Sequence, residues 1–350
     1  MSDVPQPYDA FLLVSFGGPE GRDDVIPFLE NVLRGRNVPR ERMLAVAEHY
    51  YHFGGVSPIN AQNRELIEAL RAEFARDGIK LPIYFGNRNW HPLLPDTLAQ
   101  MKADGVHRAL AYFTSAFSSY SGCRQYRENI AAAQQQVGEG APQIDKLRMF
   151  YNHPGFIETM VDRTRTALEA IPAERRAATK LAFTAHSIPD SMAVNCNYQK
   201  QLAESAKLVA TTLGYDDFAL TYQSRSGPPT QPWLEPDIGD YLRQAAAAGL
   251  KDVVIVPIGF VSDHMEVMFD LDHEAADIAR EVGINMVRAG TAGSHPRFVR
   301  MIAELVRERM TNDPVKPALG ACGPSHDVCP IDCCLPPARP AGPPPGRPAH

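Results

Sequence analysis

The strongest constraint on this chain is a rhythm. Eight short runs of apolar and β-branched residues, near 10–16, 82–85, 108–113, 146–151, 180–185, 218–223, 252–258 and 284–288, alternate with longer amphipathic stretches. The stretches lie near 24–34, 60–77, 93–104, 124–137, 155–170, 198–213, 236–248, 265–281 and 296–311, with apolar residues at helical spacing. Several runs are apolar almost throughout, as strands covered by helices on both faces tend to be. Strand–helix alternation of this kind predicts an α/β fold with two doubly wound halves, each holding a parallel four-stranded sheet. At 350 residues the chain has room for both. The expected units are residues 1–165, residues 166–312 and a cysteine- and proline-rich extension over 313–350.

Composition removes several functions. A net charge of −6 without clustered Lys or Arg argues against nucleic acid or an anionic membrane as partner. The longest apolar run, near 253–261, is far short of the ~20 residues of a spanning helix. The first residues lack a basic flank and apolar core, so they do not read as a signal peptide, and a cytoplasmic protein is expected. The last 30 residues hold nine of the 30 prolines and four of the six cysteines. Residues 336–350 read as a disordered proline-rich end. Cys322, Cys329, Cys333 and Cys334 lie too close together to be mere tail, and without an export signal metal ligation is a stronger reading than disulfides.

In open parallel sheets, ligands bind outside the carboxyl ends of strands. The turn after the first run, Ser15-Phe16-Gly17-Gly18-Pro19-Glu20, is neither G-x-G-x-x-G nor a phosphate loop, so nucleotide binding has no support. After the fifth run comes His186, a base or metal ligand that titrates near neutrality. After the seventh come His264 and then Glu266, Asp270 and Glu274, spaced i, i+4, i+8. On an α-helix each such step drifts only ~40°, so the carboxylates form a ladder, and a wider π-type turn would align them better. A solvated acidic face would show the same spacing. Hard oxygen ligands leading to an imidazole are also a path for a divalent cation. Two loops have groups suited to an organic ligand: Tyr51, Phe53, Ser57 and Asn60 in the first, Arg225 and Trp233 in the second.

Taken together, five segments resemble the ferrochelatases, which insert ferrous iron into a porphyrin: 15–19, 54–59, 184–189, 223–236 and 262–274. The similarity covers roughly residues 8–312. It implies two Rossmann-like halves with the active site in the cleft between them. It makes His186 and Glu266 the facing catalytic and metal-handling pair, one accepting pyrrole protons and the other guiding the metal, with Asp270 and Glu274 trailing along a π-helix. Binding a saddled macrocycle would expose its nitrogens. The resemblance implies substrate contacts from Tyr51, Phe53 and Trp233 to the macrocycle and from Ser57, Asn60 and Arg225 to propionates. Where some bacterial relatives carry a metal-touching Tyr, this chain has Phe16, leaving Tyr120 or Tyr126 as candidate substitutes.

The tail resembles that of ferrochelatases carrying a [2Fe–2S] cluster. The implied ligands are Cys123, Cys322, Cys329 and Cys334, with Cys333 competing for the last place; four thiolates suit Zn²⁺ equally well. Cys196 reads as a plain thiol. The wording of the first loop, of 87–90 and of the tail looks most like the actinobacterial branch, whose substrate is coproporphyrin III. Implied partners are the porphyrin, with Fe²⁺ as co-substrate, and transient contacts with neighbouring heme-pathway enzymes; a monomer is expected. The competing readings are a protoporphyrin IX ferrochelatase, a sirohydrochlorin chelatase in which His264 joins His186, and a non-catalytic porphyrin carrier.

Overall fold

A computed structural model describes residues 7–35, 38–227, 230–312 and 314–337. Most of the proline-rich end lies outside the described residues. Two four-stranded sheets are present, and every strand pair is parallel. The first takes the order β2 (Ile83–Asn87), β1 (Ala10–Ser15), β3 (Arg108–Phe113), β4 (Gln143–Lys146). The second repeats it with β6 (Phe218–Gln223), β5 (Lys180–His186), β7 (Asp252–Val256) and β8 (Asn285–Arg288). The central strands are buried because Phe11, Leu12 and Leu13, or Val253, Val254 and Ile255, point to both covered faces. In each sheet the chain winds one way from the first strand and then reverses to the third. The loops after β1 and β3, and after β5 and β7, therefore part to leave a crevice.

Two local expectations are corrected. The fourth strand is Gln143–Lys146, not the apolar run near 146–151. Leu147 N still donates to Ala111 O at 2.8 Å, but Met149, Phe150 and Tyr151 then leave the ladder and fill the core, Phe150 against Phe156 and Phe298. A helix over Arg40–His52 was not legible, because only Met43 and Ala47 of it are buried and it has no apolar stripe.

One core cluster spans both sheets. The last helix, Pro296–Met310, returns to pack on Ile59–Asp77 of the first half and on Pro154–Glu169. Arg148 and Glu308 seal this crossing with a buried bidentate pair at 2.7 and 2.9 Å. Removing one partner of such a pair costs about 3–5 kcal/mol, since the other is left charged and buried. Beyond the helix, the described residues of the tail form no regular element and are fastened by side chains. Arg148 donates to Pro317 O (2.9 Å), Asn152 to Leu319 O (3.0 Å) and Gly323 O (2.9 Å), and Arg124 to Ile331 O (2.8 Å) and Cys333 O (3.1 Å).

Candidate functional site

His186 is the last residue of β5, at the crevice where β5 and β7 diverge. Gly259 lets the loop after β7 approach: a Cβ there would lie 2.6 Å from Ala185 Cα, and Gly259 N donates to Thr184 O at 3.1 Å. The Tyr198 hydroxyl donates to His186 O at 3.0 Å. His186 Nδ1 faces Ser187 O, which can only accept, so Nδ1 carries the hydrogen and Nε2 presents its lone pair. That lone pair faces Glu266 Oε2 at 3.7 Å. Two electron-pair donors so placed accommodate a proton or a metal ion between them. His264 Nδ1 lies 3.9 Å from the same Glu266 oxygen. Burial lowers the His264 pKa; the Glu266 charge opposes this and His186 adds to it.

The ladder follows on a widened helix. Met265–Val267 runs into a π-helix over Met268–Ala275 and then into Ala276–Glu281. Asp270 accepts from the Ser224 hydroxyl and from Gln223 Nε2 (3.4 Å), while Gln223 Nε2 also donates to Glu266 O (3.1 Å). Burial pushes Asp270 up to about 7 against the Ser224 hydrogen bond, and the charges of Glu266 and Glu274 add to the rise. Glu274 is raised by burial and by Asp237, with His273 opposing. Asp270 thus trades charge for burial, as a group meant to meet a cation can.

Among the organic-ligand candidates the outcome is divided. Trp233 is half-buried, and its backbone pairs with Pro189, three residues past His186. Tyr51 lies under Arg22 (4.6 Å to the ring centroid) and borders a surface cleft of about 530 Å³ with His49, His52 and Phe269. Phe53 is half-buried with its edge on His52, and Arg225 is braced within its own loop by Gln231 O (3.1 Å) and Glu235 (3.8 Å). Ser57 and Asn60 are buried, Ser57 beneath Gly18, while Asn60 donates to Gly18 O (3.3 Å) and His91 O (3.2 Å) and accepts from Asn87 (3.0 Å). Tyr120 directs its hydroxyl to Glu128 (3.0 Å), and Tyr126 is buried on Phe113. Sequence reasoning missed Tyr50. It is half-buried on Phe28 and its pKa is raised, by burial and then by the Glu266 charge, so the helix Arg40–His52 lies within electrostatic reach of Glu266. A tyrosine among the apolar contacts of a weakly patterned helix carries no sequence signal.

The second chemical cluster lies where the tail crosses the first half. Cys123 is buried in a π-turn over Tyr120–Arg124, capped by Ser119, whose Oγ accepts from Gly122 N at 2.8 Å. Cys329 first and then burial raise the Cys123 pKa, while Cys123 first, then Lys146, Arg127 and His326, lower that of Cys329 against burial. Cys333 Sγ is 3.5 Å from Cys334 Sγ and 3.9 Å from His326 Nε2. Cys196 donates to Met192 O and Ala193 O at 3.5 Å, and burial first, then Cys333, raises its pKa. Cys322 belongs to other company: its amide donates to Glu204 at 2.9 Å, and burial first, then Glu204, raises its pKa. A buried thiol beside a group of thiols and an imidazole is donor chemistry that fits an iron–sulfur cluster or zinc.

Comparison with known proteins agrees with the fold. The ferrochelatase family model matches residues 8–310. A ferrochelatase of Rhodopirellula baltica is 64% identical, over 100% of this chain and 99% of its own. Coproporphyrin III ferrochelatases of Streptomyces coelicolor and Nocardia farcinica are 52% and 51% identical, over 97% and 95% of this chain and 96% and 98% of theirs. Among solved structures, SirB from Bacillus subtilis with Fe³⁺ shares the fold at 12% identity, with a TM-score of 0.53 over 87% of this chain and 96% of that one. With matching sheets, a matching family model and relatives similar from end to end, the chain belongs to the ferrochelatase family.

Proposed function

We propose that this protein inserts Fe²⁺ into coproporphyrin III as a step of heme biosynthesis. The observation that carries this reading is the 3.7 Å approach of His186 Nε2 to Glu266 Oε2 at the head of a three-carboxylate ladder. A macrocycle held against this pair loses two pyrrole protons as the metal enters, so Fe²⁺ and the free-base porphyrin give iron-porphyrin and two protons. His186, with its Nε2 lone pair free, accepts a pyrrole proton. Glu266, flanked by two imidazoles and reached by Asp270 and Glu274, draws the cation in and strips its water. Trp233, Tyr51 and Phe53 offer ring faces to the macrocycle, and Arg225 a cation for a propionate. The four-propionate substrate is favoured by the relatives named coproporphyrin III ferrochelatases.

The protein is read as a cytoplasmic monomer that meets neighbouring pathway enzymes transiently; no helix among the described residues is long and apolar enough to cross a membrane. Cys123 and thiols of the tail would hold a [2Fe–2S] cluster, which supplies redox-active iron outside the cleft and takes no part in the proton and metal steps above. The direct experiment is anaerobic Fe²⁺ insertion with coproporphyrin III and protoporphyrin IX offered in parallel. Strong preference for coproporphyrin supports the full reading. Preference for protoporphyrin removes the substrate assignment, and tight binding of both without turnover replaces the enzyme with a carrier.

A further inference from the structure

Resting on the reading of the carboxylate ladder as the path of Fe²⁺, we propose that Arg288 is a positioning residue for it: one guanidinium holds both ends of the segment that carries His264, Glu266 and Asp270. Arg288 ends β8, opposite Ile255 of β7, and Ala289 N donates to Ile255 O at 2.8 Å, so its backbone belongs to the sheet. From there the side chain, 18% exposed, forks onto Asp272: Nε donates to Oδ1 at 2.5 Å and Nη2 to Oδ2 at 3.0 Å. The remaining nitrogen, Nη1, donates to Asp263 Oδ1 at 3.0 Å. Asp263 is held from the first half as well. Its amide donates to Gln62 Oε1 at 2.8 Å, and Gln62 Nε2 donates to Asp263 Oδ2 at 3.4 Å.

Asp263 directly precedes His264, and Asp272 stands between Asp270 and Glu274 inside the π-helix Met268–Ala275. π-Helical segments are rare and mostly single-turn, so one of 8 residues depends on contacts from outside the helix. A planar guanidinium with donors at fixed angles sets the distance between two carboxylates, which a lysine ammonium on a flexible stem does not. The clasp also sorts the acidic groups of this segment. All four oxygens of Asp263 and Asp272 are engaged by Arg288 or Gln62, so these two carboxylates serve the frame rather than the ladder. Glu266 and Asp270 thus project from a stretch pinned at both ends to the sheet. Groups that hold metal ligands from behind cost about 10–100-fold in metal affinity or activity when removed, and Arg288 acts on the ladder in that way through the backbone.

The test is anaerobic metal insertion by full-length wild type, Arg288→Gln, Arg288→Lys and Asp272→Asn. Fe²⁺ is varied separately from coproporphyrin III, or from protoporphyrin IX if wild type prefers it, and porphyrin affinity is measured by fluorescence. The KM for Fe²⁺ should rise about tenfold in Arg288→Gln. It should rise less in Arg288→Lys, which keeps the charge without the fork, and in Asp272→Asn, which keeps the contact with Asp263. Porphyrin affinity should stay at the wild-type level in all three. An unchanged KM for Fe²⁺ in folded Arg288→Gln, or parallel losses for metal and porphyrin as in a merely weakened fold, would overturn the assignment. If Arg288→Gln does not fold, the same two criteria apply to Asp272→Asn. Wild type that binds porphyrin without turnover rejects the insertion reading instead. Arg288 is then judged by hydrogen exchange in the variants: faster exchange confined to amides 264–275 supports the clasp, and unchanged or uniformly faster exchange rejects it.

Discussion

The two halves repeat one device and use it differently. In each, the third strand of the sheet leads to a π-helical turn: Tyr120–Arg124 after β3, and Met268–Ala275 after β7. In the second half that turn continues from Glu266, whose partner His186 ends the neighbouring strand of the same sheet. His186 is therefore fixed by the ladder of β5 and Glu266 by the buried Met265 and Val267 that flank it before any ligand arrives. In the first half the turn carries Cys123, and the partners come from a tail without regular structure, fastened by Arg124, Arg148, Asn152 and Lys146. The His186–Glu266 pair comes from one half alone, whereas Cys123 meets the other thiols only where the tail returns. A widened helical turn projects a side chain that a regular turn would not, and what lies opposite decides the chemistry.

Three perturbations separate the two sites, beginning with the largest. Glu266→Gln keeps the shape but removes the charge that faces two imidazoles. Its kcat for metal insertion should fall about 10²–10⁴-fold, while iron and sulfide in the tail stay at the wild-type level by chemical analysis. Loss of both together would mean that the sites are not independent. Arg148→Met acts on the other side, leaving Glu308 buried without its partner and removing the tie to Pro317. Denaturant unfolding should show a loss of about 3–5 kcal/mol, and amides near Leu319 should exchange faster than those of β5.

The smallest effect concerns pH. His153 caps the helix Pro154–Glu169, its Nδ1 accepting from Gly155 N at 3.1 Å. Burial first, then Arg148 and Arg297, lowers its pKa to about 3. Between that value and the ordinary one near 6.5 the unfolded chain binds the extra proton, so stability falls as pH drops through this window and is fully present above it. His153→Asn should flatten the dependence measured by thermal melts from pH 7 to pH 4.

Much of this was legible because parallel strands buried on both faces are written as uninterrupted apolar runs, and because the ladder's spacing survives in sequence whatever the helix does. The same signal misled at 146–151, where an apolar run fills the core without pairing, since burial alone does not make a strand. Asn60 sits in a loop rich in ligand-binding residue types, yet its amide satisfies the backbone of the first loop at Gly18 O. Tyr50 comes within electrostatic reach of Glu266 only because segments far apart in the chain meet, which no local spacing encodes.

The central claim is that His186 takes the pyrrole proton. It is tested most directly by single-turnover insertion of Fe²⁺ into bound coproporphyrin III by wild type and His186→Ala, with porphyrin affinity measured separately by fluorescence. Insertion about 10²–10⁴-fold slower at near-unchanged affinity is expected. Insertion at the wild-type rate in His186→Ala would contradict it.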